Sequence, residues 1–125
     1  MLNNHYTVRF GGDRVEQSDV LHHVPGNPNA TLVADLTVRD SLPEARFDCV
    51  ICTQTLQFIY EVESAVASLH RILKPGGTTL VTVPGITQIS RADMESSGDY
   101  WRFTSAAVRK LFEPVFGAEH VEISS

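Results

Sequence analysis

The stretch from Phe47 to Thr82 constrains the fold more than any other part of the chain. Phe47-Asp48-Cys49-Val50-Ile51-Cys52-Thr53 is a short apolar run of the kind that forms a buried strand. After it, Val62, Ala65, Val66, Leu69, Ile72 and Leu73 recur at spacings of three and four, which puts them on one face of a helix. Lys74 falls in the expected last turn, where a cation suits the helix dipole. Pro75-Gly76-Gly77 then stops the helix and turns the chain. Thr78 to Val83 is β-branched apart from one leucine and closes at Pro84-Gly85. Strand, amphipathic helix and strand make a βαβ unit, with a right-handed crossover and parallel strands.

The flanks extend this pattern. Arg14 to Val20 reads as a short strand, Pro25-Gly26-Asn27-Pro28-Asn29 as a loop, and Ala30 to Asp35 as a second β-branched run closed by an acid. Ile86 to Tyr100 has no clear period and is rich in Ser, Asp and Gly, which predicts a long loop or a lid with a short helix. Thr104 suits the N-cap of a helix from Ser105 to Phe112, with Pro114 marking its end. Glu119-His120-Val121-Glu122-Ile123 alternates and predicts a last strand. A chain of 125 residues can bury roughly two-thirds of its unfolded surface as one domain over residues 1–125. The expected class is α/β, a mostly parallel sheet with flanking helices.

Charge and cysteine usage narrow the partners. Net charge is −5, lysine occurs only at Lys74 and Lys110, and the eight arginines are scattered singly. Phosphate backbones need a clustered positive face, so no nucleic acid partner is expected. No apolar run reaches the ~18–20 residues of a membrane span. Met1 to Tyr6 has neither a basic start nor an apolar stretch, and a cytoplasmic location is the expectation. Cys49 and Cys52 form a C-x-x-C, but residues three apart on a strand point to opposite faces. They are read as buried structural thiols, not as a redox pair or zinc site. His22-His23 reads as a solvated turn, and no metal site is expected.

In parallel sheets, ligands bind beyond the carboxyl ends of the strands. Here those ends are Asp19-Val20, Asp35-Leu36, Thr53-Gln54-Thr55 and Pro84-Gly85. Two acids and two neutral hydrogen-bonding side chains on one rim suit a polar neutral or cationic ligand, such as a nucleoside with free hydroxyls and an exocyclic amine. Each aspartate is equally well read as a turn former.

From Phe47-Asp48 through Leu73-Lys74-Pro75-Gly76-Gly77 the chain resembles the class I S-adenosylmethionine-dependent methyltransferases. The likeness extends to Asp99-Tyr100-Trp101-Arg102-Phe103-Thr104, which resembles the segment before the last helix of small-molecule and sugar-associated members. It implies a Rossmann-like fold and S-adenosylmethionine as cofactor. It further implies cofactor contacts from Asp19 and Val20 (ribose), Asp35 and Leu36 (adenine), and Gln54 and Thr55 (methionine side). Asp99, Tyr100 and Arg102 then face an acceptor, or Tyr100, Trp101 and Phe103 serve as core; the resemblance implies no catalytic base.

The chain also departs from the family. A first strand and its glycine-rich loop are expected before Tyr6, the eight glycines contain no G-x-G, and the sequence stops at Ser125 before a final antiparallel strand. The expectation is therefore an incomplete Rossmann-like methyltransferase fold with impaired catalysis on a small molecule or sugar. The alternative is a non-catalytic oligomeric module. The gap left by the first strand can close by direct pairing, be filled by Leu2 to Phe10, or be covered by a second chain. A homodimer is the expected outcome.

Overall fold

The computed structural model describes residues 5–125. Two parallel two-stranded ladders form its β-structure. In the first, β1 (Leu21–His22) pairs with β2 (Leu32–Val33), with Leu21 opposite Leu32. In the second, β3 (Phe47–Thr53) pairs with β4 (Leu73–Thr82) through the crossover helix α2 (Val62–Arg71). The βαβ reading is met, with β3 as expected from its apolar run.

The helix stops earlier than its apolar pattern. Ile72 caps α2, and Leu73 already pairs with Phe47. The ladder then jumps from Leu73 to Thr78, which pairs with Cys49, so Lys74-Pro75-Gly76-Gly77 bulges out of the strand. Lys74 thus lies beyond the helix and pairs with Asp48 at 3.5 Å. A Cβ at Gly77 would sit 2.9 Å from the Lys74 carbonyl and 3.1 Å from that of Asp48, so this is a close backbone approach that requires glycine.

Beneath the sheet, α2 buries Ala65, Val66 and Leu69 against Cys52, Leu56 and Ile72. The helix α4 (Ser105–Phe116) adds Phe112. Its Thr104 cap forms as expected, accepting from Ala107 N at 3.1 Å. The predicted stop at Pro114 does not occur. The helix continues to Phe116 and closes at Gly117, whose N–H donates to the Glu113 carbonyl. A proline in the final turn forfeits one backbone bond only, and the hydrophobic packing of Val115 and Phe116 holds the turn.

Other expectations need correction. Arg14 to Val20 is not a strand: Gly12–Arg14 is a 3-10 turn, and pairing starts at Leu21. Glu119 to Ile123 is not a strand either, since Ala118–His120 is a 3-10 turn followed by irregular chain. Ile86 to Tyr100 is a long connection with one short helix, α3 (Arg91–Ser96), as anticipated. The two ladders do not pair with one another among the described residues. The helix α1 (His5–Phe10) adds no strand to the gap; the rest of the Leu2 to Phe10 segment lies outside the described residues.

Candidate functional site

The carboxyl ends of β3 and β4 are laced together by one segment. Gln54 leaves β3 with φ +48, a left-handed conformation uncommon for a residue with a side chain. Its N–H donates to the Thr82 carbonyl at 2.9 Å, and the next residue, Thr55, donates its hydroxyl to the Thr53 carbonyl at 2.9 Å. Tyr100 N then donates to the Gln57 carbonyl, and Phe103 N to the Pro84 carbonyl, both at 2.8 Å. Residues 99–103 therefore span both strand ends.

The same segment is fixed by an ion pair. Arg102 grips Asp99 bidentately, Nη1 to Oδ1 at 2.7 Å and Nη2 to Oδ2 at 2.9 Å. Its remaining donors reach the carbonyls of Thr87, Gln88 and Trp101, and Asp99 also accepts from Ser90 N. The Asp99 side chain is only 2% exposed. The Arg102 hydrogen bonds hold the Asp99 carboxyl below its ordinary value, and Asp99 in turn raises Arg102. The connection from Ile86 to Gly98 is thus pinned to the strand ends at its start and finish. This answers the role left open for these residues: Asp99 is a buried anchor, Phe103 is core, Trp101 is half-buried and Tyr100 is exposed.

Beside this clamp stand three rings. Trp101 donates its indole N–H to the Ile59 carbonyl at 3.0 Å. Tyr60 stacks on Trp101 with centroids 5.6 Å apart, and Tyr100 meets Tyr60 edge-on at 5.4 Å. Tyr60 and Gln57 were not singled out by motif reasoning. Their signal lies in the turn Leu56–Phe58, which brings the chain from β3 under residue 100.

The aspartates are not brought to one rim. Asp19 precedes β1, whereas Asp35 follows β2, and these strands are parallel. They therefore flank opposite ends of one ladder. Asp19 instead accepts from the Thr31 hydroxyl at 2.9 Å and pairs with Arg46 at 3.5 Å, while Val20 N donates to that same Thr31 oxygen. These contacts start the β1–β2 ladder. Asp35 accepts from Thr37 N and Oγ1 at 2.8 and 2.7 Å, and these bonds lower its pKa. Leu36 is buried in the same cluster as Leu56 and Phe103, which joins the end of β2 to the end of β3. Of the six expected cofactor residues, Asp35, Leu36, Gln54 and Thr55 thus follow strand ends, and Asp19 and Val20 do not.

The cysteines lie on opposite faces as expected, but only Cys52 is buried. Cys49 is exposed, which corrects the reading of both as interior thiols. Desolvation raises both thiols, so neither is poised as a thiolate nucleophile. The His22 and His23 rings stack at 5.0 Å, and no cluster of three metal-ligating side chains occurs among the described residues.

A family profile described as "Methyltransferase domain" matches residues 17–81, just over half of the chain. The chain belongs to the class I S-adenosylmethionine-dependent methyltransferase family. The methyltransferase domain is also similar to the probable polyketide synthase 10 of Dictyostelium discoideum, at 25% identity over 72 residues. That match covers 58% of this chain and 3% of the relative's length. No solved structure matches. No helix among the described residues is long and apolar enough to cross a membrane.

The cofactor that the family implies, S-adenosylmethionine, fits these residues in part. Asp35 retains an exposed carboxylate, and Gln54 and Thr55 follow the end of β3. The acid expected for the ribose, Asp19, is committed elsewhere. Two surface concavities, one lined by Gln88, Ile89 and Met94 and the other by Val62, Trp101 and Lys110, include neither Asp35 nor Gln54.

The strain at Gln54 yields a prediction. Gln54→Gly is expected to raise stability by about 0.5–1 kcal/mol, because glycine adopts φ +48 without a Cβ penalty. Thermal unfolding reads this; a fall in Tm would show that the side chain contributes more than its conformation costs.

Proposed function

We propose that the chain is a methyltransferase-type domain with a well-built acceptor side and an impaired cofactor side, acting on a small molecule or sugar. The observation that carries this reading is the contrast between two carboxylates. Asp99 is locked by Arg102 beside the strand ends, whereas Asp19, the expected ribose ligand, is held by Thr31 and Arg46 at the far end of its ladder.

The cofactor's sulfonium supplies an electrophilic methyl group when bound. Within this chain, Asp35 would accept from the exocyclic amine of the adenine, Leu36 would pack against that ring, and Gln54 and Thr55 would offer hydrogen-bonding side chains to the methionine end. Positioning carries most of a displacement of this kind, so the loss of one ribose contact weakens both affinity and alignment.

Calorimetric titration with S-adenosylhomocysteine tests the reading. Binding with Kd of about 0.1–1 mM, equivalent to roughly −4 to −5.5 kcal/mol, is expected, and Asp35→Ala is expected to abolish it. A Kd near 1 μM would overturn the impaired cofactor side. No heat at millimolar ligand would remove the cofactor from the proposal altogether.

One face of the β3–β4 ladder favours a second reading, the non-catalytic oligomeric module. The register aligns Cys49 with Thr78, Ile51 with Leu80 and Thr53 with Thr82, an uncharged face on which Cys49, Thr78, Leu80 and Thr82 are exposed. Parallel ladders are ordinarily covered on both faces, and a second copy would cover this one without opposing charges. The expected result is a dimer by sedimentation at micromolar concentration, and a stable monomer there removes the homodimer.

A further inference from the structure

We propose that the Tyr60 ring, backed by Trp101 and walled by Tyr100, is a stacking shelf for a pyranose ring, which makes a sugar the acceptor class of this domain. The inference rests on the acceptor-side reading above and names the ligand that side holds.

The shelf is rigid from below. The indole N–H of Trp101 is tied to the Ile59 carbonyl, and the ring lies 23° from parallel to Tyr60, so one face of Tyr60 is already covered. Most of the Tyr60 side chain stays accessible even so: Tyr60 is 62% exposed and Tyr100 50%. No cation of the chain lies over the Tyr60 ring among the described residues; the guanidinium contacts of Arg9 and Arg46 are with Phe10 and Phe47. Two large exposed aromatic side chains, braced by a third ring beside the carboxyl end of a parallel ladder, offer a stacking surface to a ligand.

The openness selects the ligand. A planar aromatic molecule gains affinity by burying both of its faces, which needs an enclosed slot. A pyranose has a face of axial C–H bonds, slightly positive, that stacks on the negative face of a ring, and it carries hydroxyls that stay wet. Polar neutral groups suit its periphery. The phenol hydroxyls of Tyr60 and Tyr100 provide them. A separate feature is Gln57, three residues before Tyr60: it is 6% exposed, and its Oε1 has no hydrogen-bond partner among the described residues. A buried acceptor without a donor is costly unless a ligand or water supplies one. Tyr100 N is bonded to the carbonyl of this same residue, so the orphan oxygen belongs to the residue that carries the shelf's wall.

Trp101 is the single tryptophan, so its emission reports on the shelf directly. The full chain is titrated with methyl glucopyranoside, methyl galactopyranoside and methyl mannopyranoside into the tens of millimolar range. A saturable change in emission with at least one of them is expected. Tyr60→Ala should weaken that binding about tenfold, while Tyr60→Phe, which keeps the ring, should retain most of it. Circular dichroism and S-adenosylhomocysteine calorimetry on Tyr60→Ala should match the parent. No saturable response to any of the three glycosides overturns the proposal, as does undiminished binding by Tyr60→Ala. Saturation by p-cresol or choline with none by the glycosides also overturns it, assigning the shelf to an aromatic or a cationic ligand. Glycoside binding without S-adenosylhomocysteine binding supports the shelf and refutes only the cofactor side.

Discussion

Leu56→Ala is expected to lower the unfolding free energy by about 3–4 kcal/mol, the range for a buried leucine whose surroundings cannot collapse around the cavity. Leu56 has no exposed surface, and its cluster includes Ala65, Val66 and Leu69 of α2, Cys52 of β3, Leu36 after β2 and Phe103 before α4. It is thus where the end of the second ladder meets the end of the first. Relaxation is restricted because the flanking backbone is committed: Phe58 N donates to the Thr55 carbonyl and Ile59 N to the Leu56 carbonyl. With domain stabilities of roughly 5–15 kcal/mol, such a loss removes a large share of the total. Urea unfolding should show a lower midpoint at nearly constant slope. Ile86→Ala, at a fully exposed position after β4, is the control and should cost less than about 1 kcal/mol. Equal costs at the two positions would mean that the interior is not organised around Leu56.

The second large effect concerns the clamp. Asp99→Asn is expected to make residues 86–98 about tenfold more susceptible to limited proteolysis at neutral pH, through local opening rather than global unfolding. The neutral amide cannot reproduce the bidentate, charge-assisted pair with Arg102, whose other donors hold the Thr87 and Gln88 carbonyls. The pH dependence has a definite sign. Because Arg102 depresses the Asp99 pKa in the fold, its stabilisation is complete above the ordinary value of 3.8 and is lost as pH falls through the depressed one. Protection of the connection should therefore be flat from neutrality to about pH 5 and collapse well below pH 4. Loss of protection between pH 6 and 7 would point instead to a histidine.

Much of the fold was legible because two periodicities dominate its middle. The run from Phe47 to Thr53 and the helical spacing from Val62 to Leu69 each have one burial solution, and the chain adopts it. Thr104 was readable for a local reason, since its hydroxyl serves its own helix three residues on. Arg14 to Val20 misled because its β-branched ends enclose the polar Glu16, Gln17 and Ser18, and the ladder opens only where Thr31 meets Val20. Glu119 to Ile123 alternates correctly, but no neighbouring strand receives it among the described residues.

The candidate site was legible in its residue types and not in their placement. Asp19 and Asp35 carry the right chemistry, yet β1 starts two residues after one acid and its parallel partner β2 ends two residues before the other, which sends them to opposite ends. Pattern alone does not fix such a register. Asp99 and Arg102 were recognisable as a motif, whereas the left-handed Gln54 and the Tyr60 shelf emerge only from backbone geometry and ring packing.

The bulge at Pro75-Gly76-Gly77 places two neighbouring glycines under contrary demands. Gly76, at φ +80, holds a backbone conformation that L side chains rarely adopt and mirror-image amino acids favour, so a semisynthetic chain carrying D-alanine there should fold at least as well as the parent. Gly77 has no such latitude for an L-residue, because two carbonyl oxygens already crowd the space its methyl group would need. A probe or crosslinker introduced by chemical ligation therefore has a welcoming address at one residue and a closed door at the next.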